Sequence, residues 1–447
     1  MFGVLLDKKQ IEKYMEKLAS DHNLKSEADE RTYPIPNLTK DFEYITMVYN
    51  LLNEHIKLGI DIHPAGEWLL DNYYIIEERV KQIKDELDLN KYKKFLGLDN
   101  GPYAGFARIY ILAKEMCAYT DSNINKENLE FMLTSYQKRK TLNMDEIWNI
   151  ELFIKIAIIE NIKDICEKIY ASQMQKYRAE NIIERLVELK TKENQVFNKK
   201  PYKSYKFGYG EMKYPFIEYM SYKLKKTDKD SYDYIEALED SVEKMGTNIN
   251  DVIKKEHFDI AIKKVLMGNC ITTLKNISRI DFQEIFEKIN GVEEILKLDP
   301  AEVYDKMDYK TKAYYRGKIK ELSKKTKISE VYIAKKIVEL GTGKQGKKSH
   351  IGYYLIDEGK VELYRELEYK TLNLKNDTKL NLIVEIVWGL AIAVSIFLGK
   401  IYKNYLLSLI FLLPSQEIIN QVTQYVLSKI VKPKLLPKID LQNKITK

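Results

Sequence analysis

His63, Glu67 and Asp71 fall at i, i+4 and i+8, which places three polar side chains on one line of a helix. An imidazole followed by two carboxylates could bind a cation or hydrogen-bond the hydroxyls of a sugar. The same residues could equally cap the helix and hydrogen-bond its neighbours. Trp68 and Tyr73 lie beside this line and would offer aromatic faces for a sugar ring to pack on.

The element that must position them is a helix. Pro64 suits its first turn, where a missing N–H costs nothing, and His63 then sits at the cap. Trp68, Asn72, Ile75, Ile76 and Arg79 recur at helical spacing, with Leu69, Leu70 and Tyr73 in an adjacent stripe. A helix apolar over so much of its circumference belongs inside a larger α-helical body, with one polar seam.

The 447 residues suffice for two or three domains, and 45% apolar with 31% charged residues is ordinary for a folded chain. The net charge of +7 is spread along the sequence, which argues against nucleic acid as a partner, since that needs a concentrated basic face. Cys117, Cys166 and Cys270 match neither a zinc site nor a disulfide framework. They read as small apolar fillers in a reducing compartment. The apolar start, Met1 to Leu6, is too short for a secretory signal.

The periodicity predicts an all-α chain. Residues 1–41 form a leader, 42–195 a first helical region and 216–375 a second, joined by a Lys/Tyr/Gly-rich linker over 196–215. That linker could contact a glycan or a lipid headgroup, or be a plain loop between helical layers. Asn143 followed by Glu146 spells a capping box, opening a run from Ile147 to Ile159 that is apolar on nearly every side. Asp299 followed by Pro300 and Glu302 predicts another helix start. Ser329 starts a further helix that stops at Gly341, and Ile351 to Ile356 reads as a short extended piece.

Three motifs suggest chemistry that their context denies. Gly341 to Lys348 nearly spells a phosphate-binding loop, but Lys348 stands where Ser or Thr should reach magnesium, and the motif ends a helix instead of opening one. Asp228-Lys229-Asp230 has the spacing of a glycosyltransferase metal motif yet lies in a polar loop. Trp68, Trp148 and Trp388 follow Glu, Ile and Val, so the Arg-Trp pair of processive glycosyltransferases is absent.

Leu382 to Leu398 is an apolar run with one charge, Glu385. Lys400 and Lys403 form a short loop before a second run, Tyr405 to Leu413, that Pro414 interrupts. The pair predicts a transmembrane helical hairpin over 380–414, followed by an interfacial amphipathic helix over 415–432 that would meet membrane lipid. Lys370, Lys375 and Lys379 before it, and Lys429, Lys432, Lys434 and Lys438 after it, favour both outer ends in the cytoplasm. The expected location is therefore a membrane, with the bulk of the chain on its cytoplasmic side.

From His63 to Glu78 the sequence resembles the N-terminal region of cyclic β-1,2-glucan synthases. Further stretches resemble the same family in the same order: Asn100 to Arg108, Ser135 to Asn161 with its Tyr136-Gln137 and Glu160-Asn161 pairs, Gly246 to Ile253, and Gly268 to Leu274 before the Asp281-Phe282 turn. Met307 to Thr311 with Tyr315-Arg316, His350 to Gly359, and Pro433 to Asp440 complete the series. The resemblance adds Arg108 to His63, Glu67, Trp68, Asp71 and Tyr73 as candidate ligand-binding residues. It implies a part of a synthase that polymerises glucose from UDP-glucose, with residues 433–447 a linker toward a glycosyltransferase domain. That domain would carry the catalytic residues, magnesium and UDP-glucose, so the resemblance implies no cofactor for the residues here. The expected function is to position a glycosyltransferase domain or subunit without catalysing alone. The alternative is a free-standing glycan-binding or membrane scaffold acting in trans on β-1,2-glucan.

Overall fold

The computed structural model describes residues 7–193, 212–226 and 232–368, together with 388–389, 392–398, 400–401, 414, 416–421 and 424–425. It is mostly helical (78%). A two-residue antiparallel pairing sets β1 (Leu24–Lys25) against β2 (Gly97–Leu98), with Leu24 opposite Leu98. The chain divides into two compact units, Met1–Asn290 and Gly291–Lys447.

The first unit holds α1 (Lys8–Asp21), α2 (Ile35–Lys57), α3 (Pro64–Glu86), α4 (Leu89–Lys93), α5 (Arg108–Tyr119) and α6 (Lys126–Gln137). They are followed by α7 (Met144–Glu193), α8 (Tyr214–Lys226), α9 (Tyr232–Glu243), α10 (Ile249–Asn276) and α11 (Phe282–Ile289). Helix α7 is the axis: α2, α3, α5, α8 and α10 all pack on it. Its sequence explains this, because Ile150, Phe153, Ile154, Ile156, Ile158, Ile159 and Ile162 are all fully buried and leave little room for a solvent face near its start. The capping box is present: Asn143 Oδ1 accepts the Glu146 N–H, and Glu146 Oε2 accepts the Asn143 N–H, both at 2.9 Å. Farther along α7, Ala179 and Ile183 join Phe216, Ile217 and Met220 of α8, Leu238 of α9 and Val252 of α10 in an apolar cluster.

The second unit holds α12 (Gly291–Leu296), α13 (Tyr309–Thr326), α14 (Glu330–Gly341), α15 (Ile351–Ile356) and α16 (Lys360–Glu366). Helix α14 starts at the Ser329 cap and contacts α12, α13 and α15. Two sequence expectations change here. No α-helix follows Asp299. Its carboxylate instead organises a turn in which Glu302 takes a left-handed conformation (φ 52°). Residues 351–356 are helical, not extended, because the same carboxylate accepts the Ile351 N–H and starts that helix.

The transmembrane hairpin is corrected as well. Among the described residues no helix is long and apolar enough to cross a membrane. The run from Leu382 to Leu398 falls short of the ~20 apolar residues a spanning helix needs, and its longest described helical piece is 392–398. Most of 380–414 lies outside the described residues, as do Asp228 to Asp230, residues 196–211 and 433–447; the expected interfacial helix is described only at 416–421 and 424–425.

Candidate functional site

A cavity of about 480 Å3 opens in the first unit where α7, α8 and α10 meet, within the usual ~300–1,000 Å3 range of ligand pockets. Helix α7 turns Lys168, Ser172 and Gln175 toward it, at i, i+4 and i+7. Glu256, Asp259 and Lys263 of α10 do the same at i, i+3 and i+7. Met212 and the first turn of α8, with Tyr214 and Pro215, supply the apolar side.

Three of the cavity's oxygens are buried and have no hydrogen-bond partner among the described residues: Ser172 Oγ, Gln175 Oε1 and Glu256 Oε1. Lys263 pairs with Asp259 on its own helix. Burial raises the pKa of Glu256, and Asp259 and Glu218 reinforce the shift against the opposing charges of Lys263 and Lys176. One turn along α7 from Ser172, Lys176 donates to the Asp61 carbonyl (3.4 Å) and lies over the Tyr219 ring, and burial lowers its pKa. Orphaned oxygens beside closely spaced charges of both signs make a polar site.

Of the candidates, His63 is the one on which the charge of the cavity's Lys263 acts. It caps α3 as expected, its Nδ1 accepting the Ala65 N–H at 3.1 Å, while its own N–H donates to Gln173 Oε1. Burial lowers its pKa to about 3, with Lys263 and Lys176 adding to the shift, so the ring is neutral at neutral pH and its Nε2 has no partner among the described residues. The seam does not converge, however: Glu67 and Asp71 are solvent-exposed. Trp68 packs over Gly268 of α10, at the distance a methyl group there would just touch. Tyr73 stacks on Tyr49 (4.1 Å) and bonds Thr46 (2.8 Å). Arg108 is wholly buried against Glu146, donating from Nε at 2.8 Å and from Nη2, which also reaches the Thr141 carbonyl. Burial would lower its pKa, but the Glu146 charge outweighs that and raises it.

The other resembling residues turn out to be internal fasteners. Tyr136 bonds His22 (2.8 Å) and Gln137 donates to the Ile289 carbonyl. Asn161 donates to Ser122, while Asn269 and Thr273 of α10 donate to the Asp121 and Ser122 carbonyls. These bonds hold a turn whose two residues are both left-handed (φ 48° and 61°). In the second unit Arg316 and Tyr304 both donate to Glu293 Oε2 (2.7 and 2.8 Å). His350 bridges Asp299 (2.8 Å) and the Tyr315 hydroxyl (3.3 Å), and a Cβ at Gly352 would strike that hydroxyl. Sequence reasoning missed Ser172, Gln175 and Glu256. Polar residues at i, i+4 and i+7 of a long helix were the available signal, hidden because an exposed face has the same pattern. The three cysteines are buried and free. Burial raises the pKa of each, that of Cys270 to about 12.

No family model matches the chain. Over 333 residues it is 22% identical to the cyclic beta-(1,2)-glucan synthase NdvB of Rhizobium meliloti (strain 1021). The match covers 73% of this chain and 12% of that protein, so the chain spans a small part of the curated relative's length.

Proposed function

We propose that this chain takes part in β-1,2-glucan synthesis as a helical, non-catalytic body that supports a glycosyltransferase carried by another domain or subunit. The similarity to the glucan synthase carries the reading, because it extends over 73% of the chain. The chemistry of the interior supports the non-catalytic part. The buried thiols are held protonated, His63 is neutral behind its cap, and Arg108 and Arg316 are each bound to a buried carboxylate.

The test is a cell extract that makes cyclic β-1,2-glucan, with and without this chain. Glucan yield should fall without it and recover when purified protein is added. An unchanged yield would remove the glucan role. Glucosyl transfer from UDP-glucose and Mg2+ by the purified chain alone would overturn the non-catalytic assignment.

A further inference from the structure

We infer that the cavity between α7, α8 and α10 binds a neutral polyhydroxyl ligand, a glucosyl segment of β-1,2-glucan, through Ser172, Gln175 and Glu256. Naming glucose rests on the function proposed above; the polyhydroxyl class rests on the cavity itself.

The argument starts from the orphaned atoms. All three are oxygens, two of them on residues that are only 2% (Ser172) and 3% (Glu256) exposed. The Gln175 and Glu256 oxygens accept, and the Ser172 hydroxyl can accept as well as donate. A buried acceptor left without a donor is costly, so the occupant must bring donors. An ammonium ion would bring them, and a metal ion would coordinate the oxygens directly, but either would add positive charge to a wall that already carries Lys168, Lys213 and Lys263. An anion could accept from the Ser172 hydroxyl, but it would meet Glu256 and Asp259 and offer no donor to Gln175 Oε1 or Glu256 Oε1. A neutral polyol avoids both conflicts, because each hydroxyl donates to an oxygen and accepts from a lysine. The remaining wall suits the rest of a sugar: Tyr214 and Pro215 present the apolar surface against which C–H faces pack.

The test is titration calorimetry of the full chain with a linear β-1,2-glucooligosaccharide and, separately, an α-1,4-glucooligosaccharide of equal length. Ser172→Ala and Gln175→Leu together should weaken β-1,2-glucan binding roughly tenfold, the loss expected for about 1.4 kcal/mol of hydrogen bonding. Tyr74→Ala, at an exposed site on α3, should leave binding unchanged. Should the paired variant misfold, hydrogen exchange on the unaltered protein replaces it, and added glucan should slow exchange within 168–176 and 252–264. Equal binding of both saccharides, both weakened by the paired variant, overturns the β-1,2-glucan identity. Absence of saccharide binding at millimolar concentration, or binding that neither weakens in the variant nor protects those segments, overturns the site. The glucan-yield experiment is independent of either result.

Discussion

Asp299 and Glu256 are buried to the same degree, each 3% exposed, yet their surroundings treat them in opposite ways. Asp299, in the second unit, accepts from the N–H groups of Val303, Tyr304 and Ile351 (3.1–3.2 Å) and pairs with His350. Burial alone would raise its pKa, but His350 and those backbone donors outweigh it, and the pKa falls. Glu256, in the first unit, leaves one oxygen orphaned, and burial raises its pKa. Asp299, supplied with donors, organises the chain around it, whereas the orphaned Glu256 oxygen lines a cavity and is available to a ligand. Burial by itself does not separate these two; the donor count, together with the cavity beside Glu256, does.

The largest expected effect removes a saturated carboxylate. Glu146 both caps α7 and neutralises Arg108, with both side chains at zero exposure. Glu146→Ala should destabilise the protein by about 3–5 kcal/mol, since it leaves a buried charge uncompensated. Urea unfolding measures it. A loss below about 1 kcal/mol would mean that water reaches Arg108, and the distinction between the two kinds of carboxylate would weaken.

Asp299→Ala should follow at about 3 kcal/mol, because it strands several backbone donors. Amide exchange at Val303, Tyr304 and Ile351 should quicken. The pH dependence sharpens the contrast. The folded pKa of Asp299 is depressed, so its contribution is complete above the unfolded value of about 3.9 and disappears as pH falls through the lower folded value. Asp299→Asn should therefore lose stability at neutral pH and converge on the parent in strong acid.

Glu256→Gln should behave in the opposite sense. A carboxyl with a raised folded pKa binds its proton more tightly when folded, so stability declines as pH rises from about 4.3 toward the folded value. The variant should gain about 0.5–1 kcal/mol at pH 7, and the gain should vanish at pH 4. Lys263, Lys176, Asp259 and Glu218 face this group, and their charges set how steep the change is. Should Glu256→Gln destabilise at pH 7, the carboxylate has a partner and the two groups are alike.

What the sequence made legible follows the same division. Local rules located features that depend on neighbours in the chain: the Asn143–Glu146 box, the His63 cap, the Ser329 start and the buried face of α7. They failed where a distant group decides. Asp299 spells a helix cap, but it bonds Ile351 more than fifty residues away and so turns the chain at one end and starts a helix at the other. Arg108 was legible as a residue of interest, yet its partner was legible only as a cap. The division at Asn290 falls between two short helices, α11 and α12, with no change of composition to mark it. The cavity was invisible because Ser172 and Gln175 meet Glu256 only through the packing of α10 on α7.

The smallest expected effect concerns the seam that first suggested chemistry. Glu67 and Asp71 share a helix line with His63 but are exposed, while His63 is buried at the cap facing Gln173, Lys176 and Lys263. The helix makes a full turn in 3.6 residues, so a line at i, i+4, i+8 drifts around it and can leave the interior within two turns. Glu67→Ala with Asp71→Ala should therefore change stability by less than about 0.5 kcal/mol and leave saccharide binding as it was. A cation that raises the melting temperature of the parent but not of this pair would restore the seam as a site. It would also show that a ligand can gather carboxylates that packing leaves apart, and the donor-count criterion would then miss sites of that kind.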